Sequence, residues 1–144
     1  QVLEWATQAA ETLQFMHEKH ILQVDVGAHN IVLDKHDNLK FCTFAGSSID
    51  GGPCSVVLSA HASKRGIDFQ PSVKNELFAL GSLLFEIETT YQAYHDKEVH
   101  EIEDLFCASA FPDTHALMLG LVIHKCWRGR FANVAEALAD TKRI

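Results

Sequence analysis

The sequence holds no apolar run of about eighteen residues, the least that crosses a bilayer as a helix. Positive charge is also scarce. Twelve Lys and Arg face nineteen Asp and Glu, a formal charge of −7, which argues against nucleic acid or an anionic membrane as partner, since both need a basic surface. The four cysteines (Cys42, Cys54, Cys107, Cys126) form no C-x-x-C pair. They read as reduced thiols of an intracellular, cytoplasmic protein, three of them expected buried. Nine histidines fall in no H-E-x-x-H pattern and no cluster that would supply the ligands of a structural metal. The segment Gly46 to Gly52 has the outer glycines of a phosphate-binding loop but lacks its Lys and Ser/Thr, so it is not read as one. There is no initial Met, no basic n-region and no N-cap before the first helix, so the chain is expected to be a fragment or a processed product.

What is there suits a single soluble domain over residues 1–144, with 47% hydrophobic and 22% charged residues. Residues 1–20 predict an amphipathic helix, with Val2, Ala6, Ala9, Leu13 and Met16 on one face. Residues 21–30 read as irregular. Two apolar strands follow, 31–33 and 39–42, joined by the turn formers Asp34-Lys35-His36-Asp37-Asn38, and predict a hairpin. Residues 43–70 show little periodicity. Val56-Val57-Leu58 is a candidate short strand there, and the serines of 43–63, taken as exposed, are candidates for phosphorylation.

Ser72 then caps a helix running to about residue 89. Residues 77–87 are apolar nearly all round, which marks a helix buried on every side. Gly81 within it implies a close backbone approach, because glycine there costs about 1 kcal/mol relative to alanine. A helix over 98–108 places Val99, Ile102, Leu105 and Phe106 inward behind an acidic face. Another, from a Thr114 or Asp113 cap to Trp127, turns Leu117, Leu121 and either Ile123 or His124 inward. Asn133 caps a last helix over 134–142, with Val134, Ala137 and Leu138 inward.

Four motifs in this order carry a resemblance. Gln23-Val24-Asp25-Val26-Gly27-Ala28-His29-Asn30 is similar to a His-Arg-Asp…Asn catalytic loop. Thr43-Phe44-Ala45 stands at an Asp-Phe-Gly position after the hairpin. Glu76-Leu77-Phe78-Ala79-Leu80-Gly81 resembles Asp-x-Trp-x-x-Gly, and Lys125-Cys126-Trp127 carries a Cys-Trp pair. Over essentially its whole length the chain resembles the C-terminal lobe of a eukaryotic protein kinase, with wording most like divergent fungal kinase-like proteins. The resemblance implies a mainly α fold of the α+β family: a helical bundle around a buried central helix, one small hairpin, and no N-terminal lobe.

The same resemblance assigns roles. Asp25 stands where the family's catalytic base stands, and Asn30 where a metal ligand stands. Thr43 replaces the metal-binding Asp, and Val32 would floor an adenine if a nucleotide bound. Gln23 and Val24 replace the loop's His and Arg, and the cation that steadies the transferred phosphate has no clear counterpart. Phosphoryl transfer rests on positioning and on charge neutralisation by Mg²⁺ and cations. A neutral hydroxyl at Thr43 is a poor ligand for a hard divalent ion. No glycine-rich loop or Val-Ala-x-Lys strand occurs. The expectation is therefore a degenerate, pseudokinase-type lobe acting as a binding or scaffold module, with no cofactor of its own. Mg and ATP are implied by family alone, and the expected partner is a protein, a missing N-lobe included. The alternative is a fragment of an active ATP-dependent kinase acting on Ser, Thr or Tyr hydroxyls, with Asp25 as base.

Overall fold

A computed structural model describes residues 1–54, 56, 58–64 and 70–144. The order of elements is α1 (Val2–Glu18), β1 (Ile21–Leu22), β2 (Ile31–Leu33), β3 (Leu39–Phe41), β4 (Ser48–Ile49), α2 (Val73–Thr89), α3 (Val99–Cys107), α4 (Gly120–Trp127) and α5 (Val134–Thr141), with short 3-10 turns at Ala28–Asn30, Phe44–Gly46 and Ala60–Ala62. The chain is mainly helical, and α2 lies at its centre.

Ser72 starts α2 from an extended backbone, its Oγ accepting the Asn75 N–H at 3.1 Å. Every residue from Glu76 to Leu84 is buried, because α1 and α4 pack on different sides of the helix. Burial of Leu77, Leu80, Leu83 and Leu84 contributes about 2 kcal/mol apiece. A Cβ on Gly81 would lie 2.7 Å from the Cys126 Cβ, so the absent side chain is what admits α4. Next to that contact Trp127 donates its Nε1–H to Ser82 Oγ at 2.9 Å. Burial pushes the Cys126 thiol up to about 12. Phe78, Phe106, Phe111 and Trp127 then form a chain of ring contacts, with centroids 5.1–6.1 Å apart, that ties α3 to the α2–α4 pair.

The hairpin forms as expected, with Ile31 opposite Phe41, Val32 opposite Lys40 and Leu33 opposite Leu39. Asp34 holds its turn by accepting the His36 and Asn38 N–H groups at 2.8 and 3.0 Å. The hydrogen bonds from His36 and Asn38 keep the Asp34 carboxyl below its ordinary value. Helix α1 grips the hairpin through polar atoms: Trp5 Nε1–H donates to the Asp37 carbonyl at 2.7 Å, and Gln8 Oε1 accepts the Leu39 N–H at 2.7 Å.

Several expectations change. Residues 21–30 are not wholly irregular: β1 pairs with β4 (Ile21 with Ile49, Leu22 with Ser48), closing the ends of the 21–49 segment on each other. Two-residue strands carry no alternation for a sequence pattern to show. Helix α4 begins at Gly120 rather than near Thr114. The Glu88 carboxylate of α2 accepts the Met118 and Leu119 N–H groups at 2.6 and 2.9 Å, so the cap comes from another helix. Leu121 and Val99 face solvent, and Ile123, not His124, turns inward. Of the cysteines only Cys126 is buried; Cys42 and Cys54 are half-buried and Cys107 is exposed. Ser48 and Ser63, taken as exposed, are buried and donate to the Gly52 and Ser59 carbonyls. The strand expected over 56–58 includes Val57, and Ser55 and Gly66 belong to the same loop; these three residues lie outside the described residues.

Candidate functional site

The loop between β1 and β2 is hung on the start of α2. Glu76 is 2% exposed, and its Oε1 accepts the Gln23 N–H at 3.1 Å while Oε2 accepts the Val24 N–H at 3.4 Å. His17 of α1 brings Nε2 to 3.1 Å from the same carboxylate. A buried carboxylate is costly unless such donors surround it, and here they come from the loop it positions. Val24 has φ +68, a left-handed conformation that a β-branched residue adopts only when its surroundings impose it. The bond to Glu76 and the burial of Val24 and Val26 on either side of Asp25 supply that constraint.

The 3-10 turn Ala28–Asn30 then bends the chain back on itself. Asn30, buried, donates its Nδ2 hydrogens to the Asp25 carbonyl and to Asp25 Oδ2, both at 2.9 Å. His29 Nε2 lies 3.0 Å from the same Oδ2. Asp25 is thus engaged on one oxygen by two side chains of its own loop, and its side chain stays 23% exposed.

The second loop is joined to the first through the backbone of Cys42. Its N–H donates to the Asn30 carbonyl at 2.9 Å, and its carbonyl accepts from Gln23 Nε2 at 3.2 Å. Gln23, fully buried, therefore links the two loops. Its Oε1 and the Ser47 Oγ are the buried side-chain oxygens left without a partner among the described residues. Thr43 follows with φ +59, exposed, its hydroxyl directed to Cys42 Sγ at 3.6 Å. Phe44 is 55% exposed and Val32, on β2, is 52% exposed.

Asp25 and Asn30 are therefore in contact, and Thr43 lies one residue beyond the peptide that Asn30 holds. Sequence reasoning placed Glu76 at a motif position but did not give it the loop, and it missed His17. The available signal was a carboxylate placed directly before the apolar run that begins at Leu77. The His29 contact with Asp25 was also unforeseen, although an i, i+4 pair of opposite character is a readable hint.

The space at the site is small. Cavities bounded by Val24, Asp25 and Ser63, and by His29, His61 and Glu86, are each about 10 Å³, room for one water at most. Glu86 there has its carboxyl raised by burial, an effect His29 and His61 oppose. Of the candidate ligands, Thr43 and Asn30 are neutral and Asp25 alone is a carboxylate. Among the described residues no three His, Cys, Asp or Glu side chains converge as a metal centre requires. A Mg²⁺–nucleotide of the kind the resemblance implies does not fit this donor set. No helix among the described residues is long and apolar enough to cross a membrane.

No protein-family model matches the chain. Among curated proteins it is similar to Serine/threonine-protein kinase Nek4 of Mus musculus, 28% identical over 108 residues, which is 71% of this chain and 14% of that protein. CBL-interacting protein kinase 11 of Oryza sativa subsp. japonica is 25% identical over 132 residues, 82% of this chain and 26% of the relative. Dual specificity protein kinase zakA of Dictyostelium discoideum is 38% identical over 48 residues, 33% of this chain and 6% of the relative. The matched stretch thus spans about a quarter or less of each relative's length. Taken together, these partial likenesses support a kinase-like relationship for the chain.

Proposed function

We propose that this chain is a divergent kinase C-lobe-like module that binds a protein partner and does not transfer phosphate. The observation that carries the reading is the state of the two loops. Their backbone is fixed by Glu76, Gln23 and Asn30, yet the position where a metal-binding carboxylate is needed holds an exposed Thr43. Neutral oxygen in place of a carboxylate weakens attraction for a hard divalent ion, and without the ion the charge of a transferring phosphoryl group goes unneutralised. The exposed apolar side chains of Val32, Leu33, Phe44 and Ile49 favour a protein partner, a nucleotide-binding lobe among the possible ones.

The test is a thermal unfolding scan with and without MgATP. No shift in midpoint is expected, since a ligand that does not bind the folded state does not stabilise it. A reproducible Mg-dependent rise in midpoint would overturn the reading. It would favour the alternative, an active-kinase fragment in which Asp25 takes the proton of a substrate hydroxyl, which the intact Asp25–Asn30 contact also accommodates.

A further inference from the structure

A cavity of about 440 Å³ has no residue of the Asp25 loop in its described lining. It opens between the first turn of α2 and the Arg128-Gly129-Arg130 turn that follows α4. Lys64, Lys74, Arg128 and Arg130 line it, and none of its described lining residues is a carboxylate. In a chain of formal charge −7 that concentration is against the average.

Contacts hold Lys64, Lys74 and Arg128 at the cavity. Gly129, at φ +62, turns the chain so that its missing Cβ would face Lys74 Cε at 3.9 Å, which lays the Lys74 stem over the turn. Arg128 is braced by Nε donating to His124 Nε2 at 3.0 Å, and by its guanidinium 5.5 Å from the centre of the Phe111 ring. Lys64 Nζ donates to Ser109 Oγ at 3.3 Å. Among the described residues no ion pair is formed by any of the four. Their neighbours differ: Lys125 and Arg143 both meet Asp140, and Lys142 meets Glu11. Four like charges around one concavity repel one another, and an anion removes that cost.

We propose that this cavity is an anion site for a phosphorylated peptide. The guanidinium fork of Arg128 suits two phosphate oxygens at once, and the lysines add point charge. The volume far exceeds a bare tetrahedral anion and falls in the range of sites that enclose an organic ligand, about 300–1,000 Å³. Its floor, formed by Phe78 and Trp127, is apolar and takes the residues flanking the phosphate. A concave site in an acidic protein is a poor match for a flat anionic membrane or a polyanion, each of which needs an extended basic face. The site shares Lys64 and Asn75 with the small cavity beside Asp25, but no residue of the Asp25 loop is among its described lining, and it does not depend on whether that loop is catalytic.

The probe is a short acetylated and amidated Gly/Ala peptide with one central phosphoserine, titrated calorimetrically into the chain. Binding at least about tenfold tighter than that of the unphosphorylated peptide is expected, as for a charge-assisted pairing. Lys74→Glu combined with Arg128→Glu is expected to weaken it at least about tenfold, whereas Lys35→Glu on the distant hairpin leaves it unchanged. Lys74 is exposed on the first turn of α2, so the single change Lys74→Gln keeps the test open if the double variant fails to fold. Equal affinity for both peptides, or phosphopeptide binding unaffected by the Lys74 and Arg128 changes, overturns the proposal. Inorganic phosphate binding as tightly as the phosphopeptide also overturns it, by reducing the cavity to a site for small anions.

Discussion

The inner and outer faces of the Asp25 loop are built on different terms. On the inner face, Glu76, His17, Gln23 and Val24 are buried or nearly so, and two backbone N–H groups end on one carboxylate. On the outer face, Thr43, Phe44 and Val32 lie open, and Asp25 is engaged by side chains of its own loop. The inner face fixes a shape. The outer face carries the Asp25 carboxylate beside the neutral side chains of Asn30 and Thr43. The conformation of the loop and the groups at its open face thus depend on different residues.

That separation is broken most directly at Glu76. Glu76→Ala strands the Gln23 and Val24 N–H groups in a buried site and frees a strained Val24, and is expected to lower unfolding free energy by about 2–4 kcal/mol in urea titrations. If the loss were under about 0.5 kcal/mol, as for ordinary surface changes, the inner face would not be the anchor described. Next in size is Gly81→Ala beside it on α2. Its Cβ would press on Cys126, and a loss of about 1–3 kcal/mol is expected by the same titration, reduced by alanine's better helix propensity.

On the outer face the effects shrink and one reverses sign. Asp25→Asn keeps the Asn30 bond to the residue 25 carbonyl and is expected to cost about 1 kcal/mol or less. Thr43→Asn places a residue that tolerates left-handed backbone at an exposed position, and is expected to raise stability by about 0.5 kcal/mol. A destabilisation there as large as that of Glu76→Ala would erase the distinction between the faces. The smallest effect concerns the hairpin that joins the two loops. The Asp34 carboxyl is depressed by the backbone hydrogen bonds from His36 and Asn38, so its contribution is fully present above the ordinary value of 3.8 and is lost as pH falls through the lower folded value. Asp34→Ala should flatten the acid limb of the stability–pH curve, as read from midpoints across that range.

Much of the architecture was legible because it depends on periodicity and composition. The all-round apolar run of 77–87 marked the central helix, Gly81 marked the approach of α4, and Ser72 and Asn133 marked helix starts that the structure realises with side-chain caps. The failures share a cause: contacts between distant residues leave no local signature. Glu88 caps α4 from thirty residues away or more, and β1 finds β4 across the hairpin. At the candidate site, residue identities singled out Asp25 and Asn30, which the structure brings into contact. They did not disclose that Gln23 would bridge to Cys42, or that Glu76 and His17 would meet beneath the loop. The basic cavity was invisible for the same reason, since Lys64, Lys74 and Arg128 are brought together only by folding.

The central claim is that the loop keeps its shape without a competent metal site. It is tested most directly by titrating Mn²⁺ into isotopically labelled chain and following the Asn30 side-chain amide by NMR. The account predicts paramagnetic broadening at Asn30 no greater than beside exposed carboxylates such as Glu11, with selective broadening appearing in Thr43→Asp. Selective, saturable broadening at Asn30 in the unaltered chain would contradict it.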